Sequence, residues 1–285
     1  MDYQTPTSAG EAAGYLSQEG AYALAGGTDL LVKLRAGMVA PRVVVDLKGL
    51  PQLRGIDSDE RGWRIGAATS CAEIGAHAGF AGDWPGVVES LQLIGSTQIQ
   101  GRATLGGNLC NASPAADSVP ALIAAGALCE VAGINGQREV PVEQIIIGPG
   151  QNSLERGEIV LGFRLAKPAA RVSDAYLRFI PRTEMDIAVV GAGVALALDE
   201  KGVCTHARVA LGAVAPTPLL VSDAAKALIG TRVDDAALKA LATAASAACN
   251  PIDDKRGTVE YRIKVAGVLA RRAAAIAYER AGLKT

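Results

Sequence analysis

Two glycine pairs stand some eighty residues apart, in Ala25-Gly26-Gly27-Thr28-Asp29 and in Thr104-Leu105-Gly106-Gly107-Asn108, and residues suited to starting a helix follow each. Adjacent glycines let a backbone approach a ligand with no Cβ in the way, and they reach positive φ cheaply. Free amides beside a helix N-terminus suit a phosphate. Two such loops from distant parts of one chain can grip both phosphates of a dinucleotide, provided the fold brings them together. The second loop also gathers Asn108, Asn111, Ser113 and Asp117 between apolar helices, a polar density that a ligand explains better than a solvated loop does. Taken alone, the first pair reads as a ligand-free strand-to-helix turn. The two together point to a ligand.

The chain has 285 residues, enough for two ordinary domains, and at 49% hydrophobic and 20% charged it has globular composition. A net charge of −1 argues against a nucleic-acid surface or a basic membrane patch. No apolar run reaches the ~20 residues of a transmembrane helix. The start, Met1-Asp2-Tyr3-Gln4-Thr5-Pro6, has neither the basic nor the apolar region of a signal peptide, so a cytoplasmic protein is expected. Cys71, Cys110, Cys129, Cys204 and Cys249 are scattered, without the spacing of a zinc or iron–sulfur site. His77 and His206 are the only histidines, which leaves little for a metal site or a Ser–His–Asp triad. No Gly-Lys-Ser/Thr follows either glycine pair, so triphosphate hydrolysis is not indicated.

The pattern of elements predicts an α+β chain. A helix over 8–19, a strand over 22–25, a helix over 30–36 capped by Thr28 or Asp29, and a buried parallel strand over 43–47 form the opening unit. A strand over 63–67 and helices over 71–76 and 87–94 follow. Ser113 and Pro114 read as the cap and first residue of a helix that carries Val119, Leu122 and Ile123 and ends near Gly126. Strands over 127–131 and 138–142 meet across Asn135-Gly136, and another strand spans 159–165. Lys167-Pro168-Ala169-Ala170 is the linker candidate. Beyond it come three strands, over 173–179, 187–198 and 204–214, and two alanine-rich helices, over 222–249 with a break near Gly230 and over 258–281. Gly191-Ala192-Gly193 invites a Rossmann reading, but the apolar run continues into a polar turn and another strand. Close packing against the strand is the better account. Arg178 falls at an inward strand position, with a surface salt bridge as the alternative. Glu184-Met185-Asp186 reads as a turn.

At this point the residues resemble a family. Ala25-Gly26-Gly27-Thr28-Asp29-Leu30, the second glycine loop with Ser113-Pro114 and Asp117, Gly157-Glu158-Ile159-Val160, Arg182-Thr183-Glu184-Met185-Asp186-Ile187-Ala188 and Glu260-Tyr261-Arg262 occur in order. They resemble the FAD-binding medium subunit of molybdenum hydroxylases, of the carbon monoxide dehydrogenase and bacterial xanthine dehydrogenase type, over essentially the whole chain. The resemblance implies a two-part N-terminal FAD-binding domain of the PCMH/vanillyl-alcohol-oxidase-like kind over 1–168, with subparts of about 1–53 and 54–168. A C-terminal α+β domain over 169–285 follows, with a three-stranded antiparallel sheet and helices. It also implies a small subunit with two 2Fe–2S clusters and a large subunit with the molybdenum–pterin cofactor, in a dimer of heterotrimers. Electrons would pass from molybdenum through the clusters to FAD and on to an external acceptor.

Carried over by position, Ala23, Leu24, Ala25, Gly26, Gly27, Thr28, Asp29 and Leu30, with Thr104, Gly106, Gly107 and Asn108, would wrap the FAD diphosphate and ribityl chain. Ser113 and Asp117 would add polar contacts, and Val160 would lie by the ring. Arg178 stands where relatives carry a lysine near the pyrimidine edge; a cation there raises the potential of the ring, and arginine changes reach and geometry. Ile94 replaces the phenylalanine beside the flavin in animal xanthine dehydrogenase. The extra cysteines of the 4Fe–4S-bearing hydroxybenzoyl-CoA reductase are missing here. The resemblance implies no catalytic residue and no metal ligand in this chain. Non-covalent FAD is expected, with Cys110 the one residue in the loops that leaves a covalent link open. Two rival readings remain: a self-sufficient FAD-dependent oxidoreductase of the same fold, and a scaffold that has lost the flavin. The organic substrate and the acceptor, whether NAD, a quinone, a cytochrome or oxygen, are not written in this chain.

Overall fold

The apolar run at 43–45 becomes the centre of a parallel sheet, with Val43, Val44 and Val45 all buried. Around it lie β1 (Asp2–Gln4), α1 (Ala9–Leu16), β2 (Ala21–Leu24), α2 (Leu30–Arg35) and β3 (Val43–Asp46). The strand order is β1-β3-β2 and both pairings are parallel. Ser8 caps α1, its Oγ accepting from Glu11 N at 3.1 Å. Here the sequence pattern missed only β1, which is three largely exposed residues without an apolar period. This computed structural model describes residues 1–182 and 184–284. Thr183, within one of the motif stretches above, and Thr285 lie outside the described residues.

The second unit holds β4 (Ile56–Asp59), β5 (Gly62–Gly66), α3 (Cys71–Ala76), α4 (Ala78–Asp83), α5 (Pro85–Gln92), α6 (Thr97–Gln100), α7 (Leu105–Cys110) and α8 (Ser118–Ala124). It continues through β6 (Leu128–Gly133), β7 (Gly136–Pro141), β8 (Ile146–Gly148), β9 (Gln151–Asn152) and β10 (Ile159–Leu165). Five of these strands form an antiparallel sheet in the order β4-β5-β10-β6-β7. One expectation fails here: α8 begins at Ser118, not at Pro114. Ser113 Oγ accepts from Ala115 N at 3.2 Å, Ala112 adopts φ 52°, and Pro114 O accepts from Ala213 N at 2.7 Å. A contact from about a hundred residues further along the chain holds that segment out of the helix.

The C-terminal unit has β11 (Val172–Phe179), β12 (Val190–Leu198), β13 (Cys204–Gly212) and β14 (Leu219–Leu220), then α9 (Ser222–Lys226), α10 (Asp235–Ala247) and α11 (Val259–Leu283). The antiparallel sheet therefore has four strands where the sequence predicted three. The added β14 pairs Leu219 with Leu211 and Leu220 with Ala210, and at two residues it is too short to show a period. Helix α11, capped by Thr258 Oγ1 accepting from Tyr261 N at 3.2 Å, packs on the sheet through buried Ala266, Ala270, Ala273, Ala277 and Ala281. The absence of larger side chains lets its backbone lie close.

The units meet along a polar and a glycine seam. A Cβ at Gly193 would sit 2.6 Å from Pro120 O, and one at Gly212 would sit 2.7 Å from Pro120 Cγ, so α8 rests directly on β12 and β13. This contact accounts for Gly193, and Gly191 faces the Tyr176 hydroxyl, 2.5 Å from an added Cβ, so the Gly191-Ala192-Gly193 run needs no nucleotide. At the other edge, the Asp174 carboxylate accepts from Gly86 N at 2.9 Å and Val87 N at 3.0 Å, joining β11 to the start of α5. Burial pushes this carboxyl up from 3.8 to about 7; nearby Glu89 adds to the shift, while the two amide bonds and Lys284 oppose it. A carboxyl whose folded value is raised holds its proton more tightly folded than unfolded. Its contribution to stability therefore falls as pH rises from 3.8 to about 7. Thermal unfolding across that window is expected to show wild type losing ground steadily against Asp174→Asn. A constant difference between the two would mean that Asp174 does not titrate there.

Candidate functional site

A cleft of about 850 Å³ runs between the two glycine loops, within the range of ~300–1,000 Å³ typical of ligand sites. One wall is the segment from β2 into α2, the second is α7 with its approach, and the third is the chain from Gly150 to Val160. Ala23, Ala25, Gly26, Gly27, Thr28, Asp29, Leu30, Thr104, Gly106, Gly107 and Asn108 all line it, with Ile94 and Val160. Four of the residues carried over from the resemblance are not among its lining. Leu24 is buried in the small sheet, Ser113 turns onto Ala115, and Asp117 and Arg178 face each other behind the wall.

The four glycines do different work. Gly26 packs on the chain at Arg102, where a Cβ would lie 2.1 Å from the carbonyl oxygen. Gly106 starts α7 against Ala67, its N donating to Ala67 O at 2.9 Å, with room for no Cβ. Gly27 takes φ 79°, the left-handed turn that ends the first strand-to-helix connection. An added Cβ at Gly107 would meet only Thr104 Oγ1, at 2.8 Å. Gly107 is thus the member whose missing side chain leaves space toward the cleft.

The two loops also differ in their amides. In the second, Gly107 N donates to Thr104 Oγ1 at 3.1 Å and Asn108 N to Thr104 O at 2.9 Å, so its donors are spent within the protein. In the first, the N–H groups of Gly26, Gly27, Thr28 and Asp29 have no protein acceptor among the described residues. Consecutive free amides of this kind form a concavity that attracts an anion. Lys33 and Arg156 also line the cleft and add positive charge. The carboxylate of Glu158 is offset by a two-pronged bond from Arg138, 2.7 Å on each side, which holds it below the usual range.

Asn111 ties the loops together, accepting from Lys33 Nζ at 2.7 Å and donating to Asp29 Oδ1 at 3.2 Å. Sequence reasoning noted Asn111 only as part of a polar cluster and missed Lys33, Asn152 and Arg156. Lys33 lies one turn beyond Asp29, on the face of α2 that also carries Leu30, and that spacing is a signal the sequence does contain. Asn152, whose Nδ2 donates to Cys110 O at 3.1 Å, sits in a two-residue strand and had none. Burial pushes the Cys110 thiol up to about 12, which keeps it protonated and a poor nucleophile. Neither histidine lines the cleft. His77 Nδ1 instead accepts from Phe80 N at 3.1 Å, and its ring packs edge-on against Trp63.

This arrangement fits a long ligand with an anionic centre and a planar apolar end: free amides and Lys33 at one wall, Arg156 facing them from another, and Ile94 and Val160 as apolar lining. The model of the family described as FAD binding domain in molybdopterin dehydrogenase matches residues 1–168, and that of the CO dehydrogenase flavoprotein C-terminal domain matches 175–277. The carbon monoxide dehydrogenase medium chain of Afipia carboxidovorans is 34% identical over 283 residues, which is 99% of this chain and 98% of that one. The xanthine dehydrogenase FAD-binding subunit of Escherichia coli O157:H7 is 31% identical, over 92% of this chain and 90% of that one. A solved structure of the carbon monoxide dehydrogenase from Hydrogenophaga pseudoflava, in a form lacking the Mo-pyranopterin moiety of its molybdenum cofactor, matches with a TM-score of 0.94. Its sequence identity is 32% and 98% of each chain is covered. The chain belongs to the family of FAD-binding medium subunits of molybdenum-containing dehydrogenases. It is an FAD-binding oxidoreductase subunit. Among the described residues no helix is long and apolar enough to cross a membrane, and no cluster of His, Cys, Asp and Glu is placed to hold a metal.

The glycine roles separate in a pair of variants. Gly107→Val is expected to bind FAD roughly tenfold or more weakly, with far-UV circular dichroism unchanged, because the added side chain occupies ligand space. Gly26→Ala is expected to lower the unfolding temperature, because its Cβ collides with backbone. Normal FAD binding by Gly107→Val would place the ligand elsewhere.

Proposed function

We propose that this chain is the flavoprotein relay of a molybdenum hydroxylase complex. It would accept electrons from the 2Fe–2S clusters of a small partner subunit and pass them to an external acceptor, while the organic substrate is oxidised at the molybdenum–pterin centre of a large subunit. A dimer of such heterotrimers, in the cytoplasm, is the assembly this reading carries. FAD, when bound, supplies a centre that takes up electrons singly and releases them as a pair. The observation that carries the proposal is the cleft itself. Both glycine loops enter it, and the first loop's amides are free for an anion.

In this reading Gly26, Gly27, Thr28 and Asp29 offer their amides to the diphosphate, with Lys33 and Arg156 offsetting its charge. Ala23, Ala25 and Leu30 shape the same wall. Thr104, Gly106, Gly107 and Asn108 close the opposite side, and Ile94 and Val160 flank the ring. Leu24 and Ser113 support these segments without lining the cleft. The units 1–168 and 169–285 divide the labour, the first holding the cofactor and the second backing it.

Two measurements test the relay. Cofactor released from the purified complex should chromatograph as FAD; FMN, or no flavin with all subunits present, would falsify the assignment. Purified alone, the chain should reduce dyes from NADH slowly at most, and no organic substrate should reduce it. With its two partner subunits it should become reducible by a substrate it never touches. Turnover of a specific carbon substrate by the isolated chain at ordinary enzymatic rates would instead establish a self-sufficient flavoenzyme.

A further inference from the structure

Behind the cleft a chain of hydrogen bonds joins two of its walls. Arg178, on β11, is almost wholly buried, and its Nη1 donates both to Leu93 O at 2.7 Å and to Asp117 Oδ2 at 2.8 Å. Leu93 ends α5 and immediately precedes Ile94, which lines the cleft. The other oxygen of Asp117 accepts from Tyr176 Oη at 3.0 Å, so the carboxylate is held from two positions of β11. A Cβ at Gly191 would lie 2.5 Å from that Tyr176 oxygen, so a glycine on β12 makes the room this hydroxyl needs. Asp117 occupies the cap position of α8 without capping it. The next residue, Ser118, donates from Oγ to Asn108 Oδ1 at 2.7 Å, with its N–H at 3.4 Å. Two donors on one oxygen fix the orientation of the Asn108 amide, and its Nδ2 is the donor left over. The line Ile94–Leu93–Arg178–Asp117–Ser118–Asn108 thus runs from one wall to another without touching the cleft between.

We propose that Arg178, Asp117 and Ser118 form a brace that fixes Ile94 and Asn108 relative to each other, so that Arg178 is a positioning residue for the flavin rather than a charge laid against it. The proposal rests on the reading that the cleft holds FAD. Both members of the ion pair are buried and each neutralises the other, so the field the pair sends into the cleft is that of a dipole. Burial pushes the Asp117 carboxyl up to about 6, and the Arg178 charge and the bonds from Tyr176 and Arg178 oppose that rise. The cation is what keeps the brace ionised.

The two roles for Arg178 predict different patterns of loss. Either role lets Arg178→Met lower the flavin potential and Asp117→Asn raise it, because each variant leaves the partner's charge unpaired. Only a brace makes both variants weaken FAD about tenfold each, adds nothing further when they are combined, and extends the loss to the uncharged Ser118. Arg178→Lys should restore binding, because a single nitrogen makes both bonds. Ser118→Ala, a milder change should the ion-pair variants fold poorly, should weaken FAD with an unchanged apo unfolding temperature. Asp174→Asn, at the far end of α5, should change stability and leave the potential of bound FAD alone. The experiment is FAD titration, dye-equilibrated potentiometry and apo unfolding on the full chain. Additive losses in the double variant, or normal FAD binding by Ser118→Ala, overturn the brace. A wild-type chain that takes up no FAD overturns the reading beneath it instead.

Discussion

Strand β11 is the element on which the rest of the molecule hangs, because three alternate residues along this edge strand, two by side chain and one by its backbone amide, hold α5 from its start to its end. The Asp174 side chain takes the first amides of the helix, Tyr176 N donates to Glu89 Oε2 at 3.0 Å midway, and Arg178 takes the Leu93 carbonyl at the end. A strand presents every second residue to the same side at about 6.5 Å spacing, and a helix advances about 5.4 Å per turn. Three successive rungs can therefore meet successive turns of a helix lying nearly parallel to the strand. The C-terminal unit is in this sense the back wall of the cleft.

Charged side chains cross that seam alongside its apolar contacts. Arg208 of β13 reaches Ile123 O at 2.9 Å and Glu143 at 2.9 Å, and Arg280 of α11 pairs with Glu89 and donates to Asp174 O at 3.0 Å. Each joins one unit to the other. Both pairs are partly exposed, so solvent screens them, and what they add is register more than energy. Such a junction resists sliding: a shift of one helical turn would unpair several charges together, whereas apolar surfaces could simply repack. Where the charges stop, glycines take over, and Gly193 and Gly212 seat α8 on the sheet.

Much of this was legible in the sequence where the signal is local. The strand predicted over 43–47, the hairpin signalled by Asn135-Gly136 and found turning one residue earlier, at Ile134-Asn135, the Thr258-capped final helix and the two glycine loops all announce themselves through spacing or turn chemistry. What escaped was set by distant partners. Ser113-Pro114 has the look of a helix start, but the Ala213 amide claims the Pro114 carbonyl from a hundred residues away. The second glycine pair looks like a loop and is the first turn of α7, capped by Thr104. Arg178 could be read as inward from strand parity, yet nothing near it in sequence says that it faces Asp117 and Leu93. Two-residue β14 and β9 carry no period to detect.

The two glycine pairs look alike in sequence and are opposite in physics, and that difference bears on what the cleft selects. The second pair spends its amides inside the protein, with Gly106 packed against Ala67 and Gly107 lining the cleft. The first pair leaves consecutive amides unspent beside Lys33, and Asn111 hydrogen-bonds across to hold the loops in one relation. Free donors are therefore concentrated on the first loop and close packing on the second. A ligand that satisfies both must carry its negative charge part-way along its length with a flat group beyond it. That is the layout of a flavin dinucleotide. A flavin mononucleotide, whose single phosphate ends the molecule, would leave the stretch of the cleft toward Gly20 and Tyr22 without a partner.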